Sequence, residues 1–238
     1  MLWYSRKGLI FGLCLLLTGA LWGSLFFGRE KETERMLDYM KKKYGEDFAD
    51  EQAYAGQTGK AYAMRSVHSQ SRPGESVLVR AMGRKEVVFQ DNYLAHLLKE
   101  EIEKTIGEIA GEIFGECKAF YKIPELVFPP EFPADMEVDA FLRHPLSMVK
   151  IYVYVRNSPL DRQKQIDAFL AALSRKGYVI GGAVSYPAGD EMYEMITAEH
   201  FAGDIYQGYQ SVAEVVFSMK EEGVLSYLRW KESIGTDR

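Results

Sequence analysis

Val149-Lys150-Ile151-Tyr152-Val153-Tyr154-Val155-Arg156 is the stretch whose reading decides the fold. Its alternation sets Val149, Ile151, Val153 and Val155 on one face, the period-two signature of a strand with one side in a core. Ser158-Pro159-Leu160-Asp161 follows, offering a capping serine, a proline suited to a first helical turn and an acid that completes a capping box. Ile166, Phe169, Leu170 and Leu173 then recur at helical spacing, Gly177 ends the helix, and Tyr178 to Tyr186 returns as a strand. The spacing predicts a β-α-β unit with two parallel strands and a right-handed crossover.

Downstream, Pro187-Ala188-Gly189-Asp190 turns the chain into a predicted strand from Met192 to Thr197, and Ala198 to Gly208 has no clear period. The β-branched Val212, Val215 and Val216 mark a strand over Val212 to Met219, while Leu225, Leu228 and Trp230 predict a terminal helix from Gly223 to Lys231. Upstream, Pro124, Pro129, Pro130 and Pro133 exclude helix and central strand, so residues 124–134 are expected to connect two units. Before them Asp91 is a plausible N-cap for a long helix striped by Leu94, Leu97, Leu98, Ile102, Ile106, Ile109 and Ile113. Three β-rich runs precede it, Ala61 to Val67, Ser76 to Met82 and Glu86 to Phe89, broken by Arg72-Pro73-Gly74 and Gly83 as in an antiparallel meander. A charged helix from Arg29 to Lys43, with Met36, Leu37, Met40 and Tyr44 on one side and Gly45 at its end, opens this unit.

The remaining long feature is Gly8 to Gly28, GLIFGLCLLLTGALWGSLFFG, with no charged side chain. As a helix its 21 residues reach about 31 Å, the thickness of a bilayer's hydrocarbon core. Arg6 and Lys7 precede it and all 34 acids follow it, so the positive-inside bias predicts residues 1–7 in the cytoplasm and the rest outside. A cleaved signal peptide is the rival reading, with Thr18-Gly19-Ala20 as small residues at a cleavage site. The apolar run continues through Trp22, Leu25, Phe26 and Phe27, which fits a retained anchor with interfacial aromatics better. Lipidation at Cys14 is discounted because Phe11-Gly12-Leu13 lacks the small residue needed beside the cysteine.

The expected architecture is therefore α+β. A transmembrane helix (8–28) leads into a stalk helix with a small antiparallel-sheet unit (29–123), the proline-rich connection (124–134) and a second unit with one β-α-β crossover (135–238). The part beyond the anchor keeps 27 of the 29 bases against 34 acids, and this acidic balance argues against nucleic acid and against a polybasic membrane patch. Cys14 lies in the apolar stretch, so Cys117 has no intrachain partner outside it and no disulfide framework is available.

The run Glu34 to Phe48, which contains Lys43-Tyr44-Gly45-Glu46-Asp47-Phe48, resembles the start that follows the membrane segment or lipidated cysteine in uncharacterised surface proteins of Gram-positive bacteria. Phe89-Gln90-Asp91-Asn92-Tyr93-Leu94 is similar to the strand-to-helix junction of that group. The resemblance covers about the first 120 residues and implies a helix followed by a small mixed sheet at the bacterial cell surface, with no assigned activity.

Motifs of catalysis are decoys. Gly56-Gln57-Thr58-Gly59-Lys60-Ala61 imitates a phosphate loop, but Tyr54 stands where the first glycine belongs and Ala61 has no hydroxyl for Mg²⁺. Asp135, Glu137 and Asp139 alternate like a calcium loop, yet Ala140 replaces the turn glycine and Leu146 the bidentate glutamate; an acidic helix start accounts for them. His68, His96, His144 and His200 have no metal-ligand spacing, and no serine has the nucleophile-elbow pattern. No cofactor or metal is predicted. Two features suggest an interaction surface. Gly107, Gly111 and Gly115 form a strip on the long helix that would admit another backbone, or that a helix end tolerates. Tyr152 and Tyr154 share the strand face opposite Ile151 and Val153, either covered by a second layer or open to a peptide or glycan. The expected function is a membrane-anchored, extracytoplasmic, non-catalytic binding or interaction module at the bacterial cell envelope, with an envelope protein, peptide or glycan as partner. The alternative is an envelope hydrolase whose paired acids meet only in the fold.

Overall fold

The structure, a computed structural model, describes residues 31–53, 62–83, 86–157, 160–201 and 211–232. The expected membrane span at 8–28, the phosphate-loop-like segment and the capping pair Ser158 and Pro159 lie outside the described residues. Among the described residues no helix is long and apolar enough to cross a membrane. The fold is α+β, and the chain divides into two compact units at Gln90/Asp91.

In the first unit helix α1 covers 31–44 and stops at Gly45, whose φ of 74° suits the left-handed end of a helix. Four strands follow, β1 (Phe48–Ala53), β2 (Tyr62–Ser69), β3 (Val77–Met82) and β4 (Val88–Asp91), neighbouring one another in chain order. The meander of three strands expected here thus gains β1. Its Phe-Ala-Asp-Glu-Gln-Ala sequence has little apolar alternation, and it is held by antiparallel pairing to β2, Phe48 opposite Ser69. Met36 and Met40 of α1 are fully buried, as are Val67, Val77 and Val79 of the sheet. The proline-glycine turn after β2 is tied by Glu46, whose carboxylate accepts from both Ser69 Oγ and Ser71 Oγ.

The second unit starts with two helical segments, α2 (Tyr93–Leu97) and α3 (Lys99–Phe114), where one continuous helix was expected. Leu98 sits between them with φ −87° and ψ −4°; the N-cap of α2 is Asn92 and not Asp91, which lies one residue earlier at the end of β4 and accepts from the Tyr93 amide at 3.0 Å. Strand β5 (Cys117–Lys122), the short helix α4 (Val138–Arg143), β6 (Val149–Val155), α5 (Arg162–Arg175) and β7 (Ile180–Pro187) come next. β6 and β7 are parallel, with Ile151 opposite Gly182, as the β-α-β pattern requires. The N-cap of α5 is Asp161, whose carboxylate accepts from the Lys164 amide at 3.2 Å; this satisfies one of the free amides of the first turn.

The proline-rich stretch is part of the second unit and does not divide the chain. Phe128 and Phe132 are buried there, ring to ring at 5.2 Å and edge-on to Phe141 of α4, because four prolines free the segment from regular hydrogen bonding and let its aromatics fill the core.

Two expectations at the carboxyl end are corrected. Met192 to Thr197 is not a strand; Asp190–Met195 forms a helix, α6, with Asp190 and Glu191 in its first turn, where negative charge suits the exposed amides. Gly223 to Lys231 is not a helix. Val224–Glu232 is strand β9, joined to β8 (Ser211–Lys220) by the tight turn Glu221–Gly223 and paired antiparallel, Phe217 opposite Leu228 and Val215 opposite Trp230. Glu222 and Gly223 both take positive φ, which turns the chain back on itself and ends any helical period.

The five-stranded sheet runs β5-β6-β7-β8-β9. One face forms the main core with Ile102, Ile106 and Phe114 of α3, Phe141 of α4 and Ile166, Phe169 and Leu173 of α5. The other face carries a smaller cluster, Tyr154, Tyr193, Ile196 and Phe201, joined by Phe120 and Tyr152.

Candidate functional site

One concavity of the first unit lies on α1. Arg35, Asp38, Tyr39, Lys42 and Lys43 follow the i, i+3, i+4, i+7, i+8 spacing that brings residues to one helical face. With Phe89 of β4 they line an open groove of about 450 Å³. Its floor is an aromatic stack, Tyr39 on Phe89 with centroids 5.2 Å apart and planes inclined by 20°. Cations sit over both rings: Arg35 Cζ is 5.7 Å from the Phe89 centroid and Lys43 Nζ is 5.6 Å from that of Tyr39. Lys43 Nζ also donates to Tyr39 Oη at 3.2 Å and lies 5.1 Å from the Tyr44 ring. Attraction to ring faces therefore holds two positive groups in place. Three cations face one carboxylate in this groove, on a chain with a formal net charge of −5. Neighbouring Lys41 is engaged elsewhere, donating to Asp47 at 2.6 Å, which raises its pKa.

Of the residues the sequence singled out, the glycines serve separate local ends. Gly107 faces Ala119 of β5, where an added Cβ would stand 3.8 Å from the alanine's own. Gly111 faces open space, and Gly115 is the C-cap of α3 with φ 78° and ψ −128°. No other backbone of the described residues comes within 4 Å of a Cβ at any of the three. Tyr154 is covered: its hydroxyl donates to the Phe201 carbonyl at 2.7 Å, and it belongs to the cluster on the sheet's second face. Tyr152 is half-buried, 5.5 Å from Phe201, which stacks at 4.9 Å on Phe120. These aromatics are thus mostly occupied by their own chain.

The polar clusters of the second unit are fasteners. Lys118 Nζ donates to the carbonyls of Tyr193 and Ile196 at 2.8 and 3.0 Å, satisfying the end of α6, and lies over the Tyr193 ring. Arg156 meets Glu116, Asp190 and Glu194 at 2.6, 2.9 and 3.1 Å, and the bonds to Glu116 and Asp190 hold its guanidinium charged. Glu214 accepts from Ser185 at 3.2 Å and from Lys231 at 2.8 Å. Asp139, from the acidic run that imitated a calcium loop, accepts from Tyr178 at 2.5 Å and from Arg143 at 3.0 Å. Burial, and then this bond to Asp139, raises the Tyr178 pKa well above the phenol range. Burial also pushes the Cys117 thiol up, the direction that makes a cysteine inert. His144 accepts from the Leu146 amide at 3.2 Å, and His200 bonds Thr197 at 3.1 Å, so both shape turns. Among the described residues no three His, Cys, Asp or Glu side chains are grouped to hold a metal.

No family model matches the chain, and no curated protein matches it. Among solved structures it is similar to the crystal structure of a DUF5037 family protein from Ruminococcus gnavus. The sequences are 15% identical and the TM-score is 0.44 over 81% of this chain and 93% of that one.

Proposed function

We propose that the chain is a single-pass, membrane-anchored, extracytoplasmic binding module of the bacterial cell envelope, without catalysis, belonging with the Gram-positive surface proteins that share its Lys43 to Phe48 start. One juxtaposition carries this reading. The charge-free stretch Gly8 to Gly28 precedes a helix whose exposed face holds a basic and aromatic groove. A tether long enough for a bilayer, with Arg6 and Lys7 on its near side, favours delivery of that groove to the far side of the membrane.

Protease added to intact cells or spheroplasts tests the topology. Digestion of the part beyond residue 30, with a cytosolic marker spared, is the expected result. Protection of that part equal to the marker's refutes it.

A further inference from the structure

We infer that the α1 groove binds a linear, phosphate-bearing polyanion laid along the helix. This rests on the reading of the chain as a binding module and names the ligand class of that site. Arg35, Lys42 and Lys43 supply positive charge on one face, and seven to eight residues of helix separate the first from the other two, about 10–12 Å of rise. A ligand laid along the helix that carries charge repeatedly along its length can meet all three cations at once. Arg35 and Lys42 form no ion pair among the described residues, so both are available to an incoming anion. Arg35 and Lys43 are held over the Phe89 and Tyr39 rings, so little side-chain freedom remains to be lost on binding.

The aromatic floor argues for a polymer without bases. Tyr39 and Phe89 are stacked on each other with cations over their rings, which leaves them poorly placed to act as platforms for nucleobases. Asp38, the one acid in the groove, opposes any anion, and its neutralisation should tighten binding.

The experiment is calorimetry of the full chain in neutral detergent with long-chain inorganic polyphosphate, orthophosphate, a single-stranded oligonucleotide, and vesicles of phosphatidylglycerol or phosphatidylcholine. Polyphosphate should bind, and its log affinity should fall with log salt at a slope of about −2, as three neutralised phosphates imply. Arg35→Gln with Lys42→Gln should weaken binding at least tenfold and flatten the slope, whereas Asp38→Asn should strengthen it. Lys164→Gln with Arg175→Gln, exposed on α5, should change nothing. Any of four results overturns the proposal: no binding, binding indifferent to the Arg35 and Lys42 changes, orthophosphate competing equally per phosphate, or the oligonucleotide binding more tightly. Phosphatidylglycerol vesicles that capture the wild type but not the double variant would assign the groove to lipid headgroups and likewise overturn it. Purified protein reports on the groove whatever the chain's orientation, so this failure and a failure of the protease experiment are separable.

Discussion

Alanine scanning of the α3 glycines gives three different answers from one chemical change. At Gly111 a Cβ meets no neighbouring atom within 4 Å, so alanine there only removes the backbone entropy of glycine inside a helix, a gain of about 1 kcal/mol. At Gly107 the new methyl touches Ala119 at ordinary contact distance and should gain a similar amount. Gly115 has φ 78° and ψ −128°, a conformation open essentially to glycine, so alanine there should lose about 1–3 kcal/mol. In a unit of roughly 150 residues each 1 kcal/mol moves the midpoint by about 2–4 °C. Gly107→Ala with Gly111→Ala should therefore melt about 4–8 °C higher, and Gly115→Ala lower. Circular dichroism melts, with light scattering to follow oligomeric state, check both. A lower midpoint for Gly111→Ala, or a dissociated oligomer, would refute the reasoning, because it would mean that another backbone occupies the apparently open strip.

Further outcomes follow from the second unit. Phe201→Ala removes the ring stacked on Phe120 and beside Tyr152, and should cost about 3 kcal/mol in a urea titration while leaving the main core on the other face intact. Gly182→Ala drives its Cβ into the Ile151 carbonyl of the adjacent parallel strand and should largely prevent folding of this unit, read by loss of soluble protein or of the unfolding transition. Burial pushes the Tyr186 and Tyr193 hydroxyls up to about 12. The folded state therefore holds these protons more tightly than the unfolded chain does; the stability they contribute is complete below about pH 10 and is lost as pH rises through about 12. Urea midpoints at increasing pH, read beside tyrosinate absorbance, test this; full ionisation near pH 10 without unfolding would contradict it.

The β6-α5-β7 unit was legible because its two periods are clean: valines and isoleucine alternate in β6, and Ile166, Phe169, Leu170 and Leu173 keep helical spacing in α5. Strand β9 was not, since Leu225 and Leu228 fall three apart and imitate a helix. Pairing with β8 decides it, by putting Leu228 and Trp230 on the core side opposite Phe217 and Val215. Helix α6 is too short for its own period to speak, and depends on Lys118, distant in sequence, to satisfy its last carbonyls. The prolines correctly excluded regular structure but said nothing of where Phe128 and Phe132 would lodge, which is a matter of tertiary packing. The groove was half visible: the spacing of Arg35, Asp38, Tyr39, Lys42 and Lys43 is local, whereas Phe89 arrives from β4 and only the folded sheet brings it under Tyr39.

Both sheets list their strands in the order of the chain, β1 to β4 and then β5 to β9. A polypeptide emerging amino end first would find, for every strand after the first of each sheet, the docking edge already laid down. Long-range loop closure never has to precede a nearer one, so assembly can keep pace with emergence from a narrow exit, and few bare edges wait exposed to neighbouring chains.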